Sequence, residues 1–534
     1  MACDRYRLWI LLPIIAIGLA LRLPKLDARP MHADEAVQAA RFRELWQQGK
    51  YRYDPREYHG PTLSYFTLPV IRAFAPADFA ETTETMYRTV TVIFGIGLVI
   101  LLPALRGTLG TSALLWAGLF TATSPAMVFY SRYYIHESLL VFFTMATIAA
   151  AWQYWRTARV GWCLAAGAGL GCMQATKETA VLAMASMAAA IIATAIFRRR
   201  STAKAQTAED TTHPPNRDSM RGWHFLAGGA MALAVAGLWF SSFLTNPRGV
   251  WDAVLTYAPW AGRASGDSPH LHPWYFYLQR LLWWHAPKGP VWSEASLLAL
   301  AIFGWLIALF QTPRDERATG ELVFVRWLGF YACVLAAIYA AIPYKTPWCM
   351  LGFHHAAILL AGFGASRAAA SMQNHKWSVA VNCVFNGALV AALLHLAWQA
   401  YRASYVMPAD PRNPYTYVQT LPDMQRLAND LASISGPAHD TAADTVKVIW
   451  RDNYYWPLPW YLRRMERVGY WDHMPSDPVA PLVIASPDYD EELARKLDAT
   501  HLMTGYYALR PNVLAELWVS MPAWEAHLRR IGNL

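Results

Sequence analysis

Charge is scarce in this sequence. Only 16% of the 534 residues are Asp, Glu, Lys or Arg, while 55% are hydrophobic, against a charged share of about 25% in soluble domains. That balance argues against a protein solvated by water alone. Cysteine is also sparse: the six residues, Cys3, Cys163, Cys172, Cys333, Cys349 and Cys383, all sit in or near apolar segments. None lies in the long polar loops or the C-terminal region, so a disulfide framework is not indicated. Cys163 and Cys172 lack zinc-site spacing and read as small packing residues. A repeat with a clear period is missing as well. The net charge of +9 does not gather on one basic face, which leaves no signature of nucleic-acid binding.

What the chain has instead is apolar runs of roughly 18–22 residues, the length that crosses about 30 Å of hydrocarbon. The first, Leu8 to Leu23, follows Arg5 and Arg7. No small-residue cleavage site comes after it, because Leu21-Arg22-Leu23-Pro24 is bulky and charged, so it reads as an uncleaved anchor. Further runs are Val90 to Leu105, Thr111 to Met127, Ser138 to Trp155, Gly161 to Ala175, Ala180 to Phe197, His224 to Leu244, Ala295 to Phe310, Trp327 to Ile342, Cys349 to Gly364 and Ser378 to Trp398. The expectation is a polytopic helical membrane protein of about eleven transmembrane helices.

Threading these runs with the N-terminus in the cytoplasm puts Arg106, Arg156, Arg159, Arg198 to Arg200, Lys204, Arg217, Arg221, Arg314, Arg317, Arg367 and Lys376 in inner loops, as the positive-inside bias requires. The membrane domain then spans 1–400, with outer loops at 24–88 and 245–294 and an inner linker at 198–223. The stretch from Ser201 to Ser219 is too polar to form a core. Residues 401–534 fall outside the cytoplasm and alternate strand-like runs (Thr445 to Trp450, Pro481 to Ala485) with helix-like ones (Pro422 to Ile434, Asp490 to Leu497). A small extracytoplasmic α/β domain fits this alternation. The expected location is the inner (plasma) membrane, multi-pass, with that domain periplasmic or extracellular.

Chemistry is expected in the outer loops. Met31-His32-Ala33-Asp34-Glu35-Ala36 places adjacent carboxylates at the exit of the first anchor, where a base would meet a lipid-linked phosphate; they could equally be acidic residues favoured at a helix start. Tyr130-Ser131-Arg132-Tyr133-Tyr134-Ile135-His136-Glu137-Ser138 adds a carboxylate and a guanidinium on the same side, with a simple Arg132–Glu137 pair as the bland alternative. Lys177, in Ala175-Thr176-Lys177-Glu178-Thr179, and Lys345, in Tyr344-Lys345-Thr346-Pro347-Trp348, are outer-loop cations that run against the charge bias. A departing phosphate would need such groups. His270, His272, His354 and His355 have no accompanying carboxylate cluster, so no metal site is assigned. The aromatic loop around Pro269 to His285 suits the membrane interface or a gate over a lipid tail. The aromatics from Trp450 to Arg463 suit either sugar stacking or packing of the domain.

Taken together, Asp34-Glu35, Tyr58-His59-Gly60-Pro61-Thr62-Leu63, Ser131-Arg132 with Glu137, Thr176-Lys177 and Lys345-Thr346-Pro347-Trp348 resemble the GT-C glycosyltransferases of the protein O-mannosyltransferase and aminoarabinose-transferase type. The Tyr-His-Gly-Pro and Tyr-Ser-Arg-Tyr-Tyr-Ile-His-Glu wording is most similar to a prokaryotic branch labelled flippase activity-associated. The resemblance runs in order from the N-terminus to about Gly364, with Trp456 to Arg463 added in the tail. It implies a hexosyltransferase-type enzyme that moves a sugar from a polyprenyl-phosphate donor to a hydroxyl on a glycan, lipid or protein at the outer face, with inversion.

By that resemblance Asp34 is the base, with Glu35 and Glu137 in the catalytic group. Arg132, Lys177 and Lys345 hold the donor phosphate, and Tyr58, His59 and Trp348 contact substrate. Many relatives carry Lys or Pro-Pro where this chain has His59-Gly60-Pro61, which leaves His59 as a hydrogen-bonded structural residue in the alternative reading. No cofactor is required, and a divalent cation is the one candidate. Membrane lipid is an expected partner and nucleic acid is not. The competing functions are a flippase or transporter-associated protein for lipid-linked glycans, which needs polar residues deep in several spans, and a non-catalytic glycan-binding scaffold.

Overall fold

The computed structural model describes residues 9, 11–55, 59–204, 220–265, 270–313, 315–374, 379–436 and 445–533. Tyr58, the start of the first anchor and nearly all of the linker from Ser201 to Ser219 therefore lie outside the described residues. Among those described, 7 helices are long and apolar enough to cross a membrane, Glu84–Thr123, Glu137–Thr157, Ala180–Arg200, Gly222–Phe240, Ala318–Ala341, Pro347–Met372 and Val379–Val406. Shorter apolar helices are Leu11–Arg22, Val160–Gln174 and Ala295–Phe310. The first of the long ones is two helices, Glu84–Leu101 and Arg106–Thr123, joined by a 3-10 turn at Leu102–Leu105. Each apolar run expected from the sequence falls on one of these helices.

Some ends differ from the expected ones, for local reasons. The run from Thr111 to Met127 is cut at Ser124, whose side chain accepts from the Met127 amide to start a separate helix, Pro125–Ser131. Proline has no N–H to continue the ladder but fits a first helical position. The run from His224 to Leu244 stops at Phe240, because Ser242, Phe243 and Leu244 turn into the left-handed region with φ of 51, 53 and 70°.

Close helix contacts use glycine. Val160–Gln174 packs on Gly222–Phe240, and a Cβ at Gly167 would lie 2.1 Å from the Gly228 carbonyl oxygen. Ala295–Phe310 packs on Leu351–Asn374, where a Cβ at Gly364 would lie 2.2 Å from the Leu300 oxygen. Lipid tails are as apolar as leucine, so helix association in a bilayer depends on such close backbone approach. Buried Arg22 ends the first helix and donates to Ser131 Oγ (2.8 Å), Ala122 O (2.9 Å) and Thr121 O (2.8 Å). It satisfies carbonyls at the end of Arg106–Thr123 and so fixes where the loop after the first helix begins.

Beyond Val379–Tyr401 the chain forms a small α/β domain. After a hairpin of β1 (Trp284–His285) and β2 (Val291–Trp292) in the loop before helix Ala295–Phe310, the strands are β3 (Thr445–Ile449), β4 (Arg467–Trp471), β5 (Leu482–Ala485), β6 (His501–Arg510) and β7 (Val513–Ser520). The sheet order is β4-β3-β5-β7-β6, with β3 parallel to both neighbours and the other pairings antiparallel. One face, with Val446, Val448, Leu482, Ile484, Leu517 and Val519, shares an apolar cluster with Phe42, Tyr87 and Tyr134 of the membrane part. The other is covered by helix Asp490–Leu497.

The domain is clamped onto the loop after the first helix. The Met31 amide donates to Tyr461 Oη (2.9 Å), Trp460 Nε1 to Glu84 Oε1 (2.8 Å), Arg463 to Thr82 O (2.9 Å) and Gln419 to Pro30 O (3.1 Å). Of the two uses open to the Trp450 to Arg463 aromatics, packing accounts for Trp460 and Tyr461, which are buried. Tyr454 stays exposed.

Candidate active site

Helix Ala33–Gln48 starts with a reciprocal cap: His32 Nδ1 accepts from the Asp34 amide (3.1 Å), and Glu35 Oε2 accepts from the His32 amide (3.0 Å). Consecutive helical residues point about 100° apart, so the adjacent carboxylates part company. Glu35 is fully buried. It takes Arg88 at 2.8 and 2.6 Å, Arg29 at 3.3 Å and the Tyr134 amide at 2.8 Å. Burial disfavours its charge, but Arg88 and Arg29 outweigh that and hold the carboxyl at about 2. Asp34 keeps 48% of its side chain accessible, with His32 Nδ1 at 3.9 Å.

The expected phosphate-binding cations have different surroundings. Arg132 turns back to close the chain leaving the first helix, donating to Arg22 O (2.5 Å), Pro24 O (2.8 Å), Lys25 O (2.9 Å) and Tyr405 Oη (3.1 Å). Burial lowers its pKa to about 10. Lys177 forms a buried ion pair with Glu137; burial opposes the ammonium, and the Glu137 charge overcomes it and raises the pKa. The His59–Gly60 segment docks on this pair. Gly60 N donates to Thr176 O (3.1 Å), Thr62 N to Ala175 O (3.3 Å), and His59 meets Glu178 at 3.3 Å. Gly60 is obligatory here, since a Cβ would fall 2.0 Å from the Ala175 oxygen. His136 Nε2 donates to Gly60 O (3.1 Å).

Lys345 is buried, with 1% accessibility, and its ammonium donates to Ile342 O. Its amide donates to His270 O (2.9 Å) and the His272 amide to Pro343 O (3.0 Å), which ties the His270 loop to the Lys345 segment. Tyr417, from the irregular passage after the last membrane helix, completes the surround. Its hydroxyl lies 2.6 Å from His270 Nδ1 and 2.9 Å from His272 Nε2, and its carbonyl oxygen 3.0 Å from His32 Nε2. Burial lowers the pKa of both loop histidines, that of His272 to about 4.

Trp348 joins the two groups. Its ring is 6.1 Å from His32 and 6.0 Å from Tyr417, and it lines a narrow slot with Glu137, Thr179, Tyr331, Tyr339 and Cys349. Arg29 donates to Arg132 O (2.7 Å), so a continuous set of contacts links every expected site residue with a described position. Residues the sequence left unremarked are Arg29 and Arg88, which neutralise Glu35, and Tyr417. None carries a local motif, since each is set by a contact more than 50 residues away in sequence, except Arg29–Glu35.

Among the described residues no three His, Cys, Asp or Glu side chains come together as a metal-ion site. His270 and His272 already share the Tyr417 hydroxyl.

Residues 65–247 match the family model described as dolichyl-phosphate-mannose-protein mannosyltransferase. ArnT from Cupriavidus metallidurans bound to undecaprenyl phosphate is similar in structure, with a TM-score of 0.64 and 16% identity over 95% of this chain and 98% of that one. The apo state of the same protein gives 0.63 and 14% over 97% and 98%. The Archaeoglobus fulgidus oligosaccharyltransferase in complex with Zn and sulfate gives 0.50 and 12% over 93% and 72%. No curated protein matches the chain. The architecture is that of an integral-membrane protein with a small C-terminal sheet domain. In particular, the chain has the GT-C glycosyltransferase fold.

Proposed function

We propose that the protein transfers a sugar, as a hexosyltransferase, from a polyprenyl-phosphate carrier to an acceptor hydroxyl at the outer face of the membrane, with inversion. The observation that carries this reading is the divergence of Asp34 from Glu35: one carboxylate is accessible in the first turn of its helix, the other is buried among arginines. Likeness in fold to a protein holding undecaprenyl phosphate supports a lipid-linked donor. The N-terminus would be cytoplasmic and the C-terminal domain periplasmic or extracellular, in the plasma membrane. The acceptor is a glycan, lipid or protein.

Asp34 takes the proton of the acceptor hydroxyl as its oxygen attacks the anomeric carbon. The bond from that carbon to the carrier phosphate breaks on the opposite side, and its electron pair stays with the phosphate. A phosphate is a good leaving group, so electrostatic stabilisation replaces a general acid. Lys345 supplies that stabilisation, because its ammonium is bonded to a backbone carbonyl rather than to a carboxylate. The Lys177–Glu137 pair and Trp348 form the adjoining wall, with His59 on its rim, while Arg132 and Glu35 shape the loops that hold Asp34.

The test uses purified full-length protein in detergent with undecaprenyl- and dolichyl-phosphate hexoses and a mixed acceptor pool. Wild-type transfer that Asp34→Asn reduces by about 10²–10⁴-fold supports the reading. An inactive wild type across the donor panel, or an Asp34→Asn variant as active as wild type, refutes it.

A further inference from the structure

Three units, built from four stretches far apart in sequence, meet at the Tyr417 side chain and backbone. The His32 loop carries Asp34. The ribbon formed by His270–His272 and Pro343–Lys345 carries the buried lysine. The passage after the last membrane helix carries Tyr417 itself. It is anchored two residues earlier by Tyr415, whose hydroxyl donates to buried Glu294 (2.9 Å) and whose carbonyl accepts from Tyr130 Oη (2.8 Å). Tyr417 is thus held from below by the membrane bundle and reaches both carriers of the expected chemistry.

The hydrogen-bond pattern restricts the protonation states. His32 Nδ1 accepts from the Asp34 amide, so its proton is on Nε2, which donates to the Tyr417 carbonyl. That carbonyl therefore sets the ring that caps the Asp34 helix. A tyrosine hydroxyl has one proton to give and lone pairs to accept with. It donates to one of His270 Nδ1 and His272 Nε2 and accepts from the other, which locks both rings against the ribbon that ends in Lys345.

We propose that Tyr417 is a positioning residue. Bonded to His270 and His272 through its hydroxyl and to His32 through its carbonyl, it holds the Asp34 helix and the Lys345 ribbon at the separation the transfer needs. This rests on the proposed transferase reading. Tyr417 is the C-terminal region's contribution to the site, linking the outer domain's seating to the chemistry. Small misplacements of reacting groups cost on the order of 10²-fold in rate, so the hydroxyl acts on turnover rather than on binding.

Tyr417→Phe keeps the ring and the carbonyl and deletes the hydroxyl. In the full-length protein it should lower kcat by roughly 10–100-fold and leave donor and acceptor KM within about threefold. The amides of His272 and Lys345 should exchange with deuterium at least about tenfold faster. Unchanged turnover, or lost turnover with unchanged exchange at those amides, overturns the proposal. The exchange measurement needs no activity, so a wild type inactive with every donor would sink the transferase reading while this arm still decides whether Tyr417 holds the ribbon. Should the variant not fold, His270→Gln and His272→Gln replace it. Each should speed exchange at Lys345, and the double variant should be no worse than the worse single one. Additive effects, or no effect, refute a shared hub.

Discussion

The two acid–lysine groups at one end of the bundle are built oppositely. Around Lys177 everything is paired: Glu137 takes the ammonium, Glu178 takes His59, and the Gly60 backbone is stitched to Thr176. Around Lys345 the acid and the base are kept apart. Asp34 remains accessible and Lys345 is bonded to a carbonyl. A buried, mutually neutralised pair organises structure and has little electrostatic capacity left for a substrate. An accessible carboxylate and a cation bonded, among the described residues, to a backbone carbonyl retain theirs. The lesson is that charge identity alone does not mark a site; what matters is whether the partner is already in the protein.

That contrast is open to attack from either side. The largest effect is expected from Asp34→Asn, with a fall in transfer of about 10²–10⁴-fold and no change in unfolding midpoint. Glu35→Gln, one residue on, should do the reverse. It leaves Arg88 and Arg29 buried without a counter-charge, which costs about 3–5 kcal/mol, read by denaturation in mixed micelles. Because the two arginines outweigh burial and hold the Glu35 pKa at about 2 against an ordinary 4.5, its stabilisation is complete above pH 4.5 and disappears as pH falls through 2. Wild type and Glu35→Gln should therefore converge in stability at the acid end.

Lys345→Met should reduce turnover by about 10²–10³-fold with little loss of stability. Lys177→Met should destabilise the fold through unpaired Glu137, and Lys177→Met with Glu137→Leu should recover most of that loss, as replacement of a buried pair by apolar groups often does. If the double variant stays as unstable as the single one, Lys177 is more than half of a neutralised pair, and the contrast blurs. The smallest effect concerns His59. Burial lowers its pKa, Glu178 raises it further, and the net shift is upward. The stabilisation is thus fully present below about pH 6.5 and is lost as pH rises through the higher folded value. His59→Gln should lower the unfolding midpoint at pH 5.5 and hardly at all at pH 9, by under about 1 kcal/mol since the imidazole is partly exposed.

Much of the fold was legible because its signals are local. Ala295 to Phe310 was read to the residue, and helix Asp490–Leu497 and strands β3 and β5 fell where their patterns put them. Asp34 stood out through its place after the first anchor. The status of Arg132 was not legible: a guanidinium beside an outer carboxylate looks like a phosphate ligand, and its turn toward Arg22, Pro24 and Lys25 depends on a chain passage over a hundred residues earlier. Tyr417 was invisible for the same reason.

Hydrophobic run length and charge bias are properties of neighbouring residues, so the sequence by itself determined the membrane character, the apolar helices and the loops that carry the polar groups. Which carboxylate of Asp34-Glu35 faces solvent, which lysine is neutralised and which tyrosine ties the loops together were decided only by tertiary structure. Each depends on a partner brought close by folding, and in a low-dielectric interior that partner outweighs any intrinsic preference of the residue.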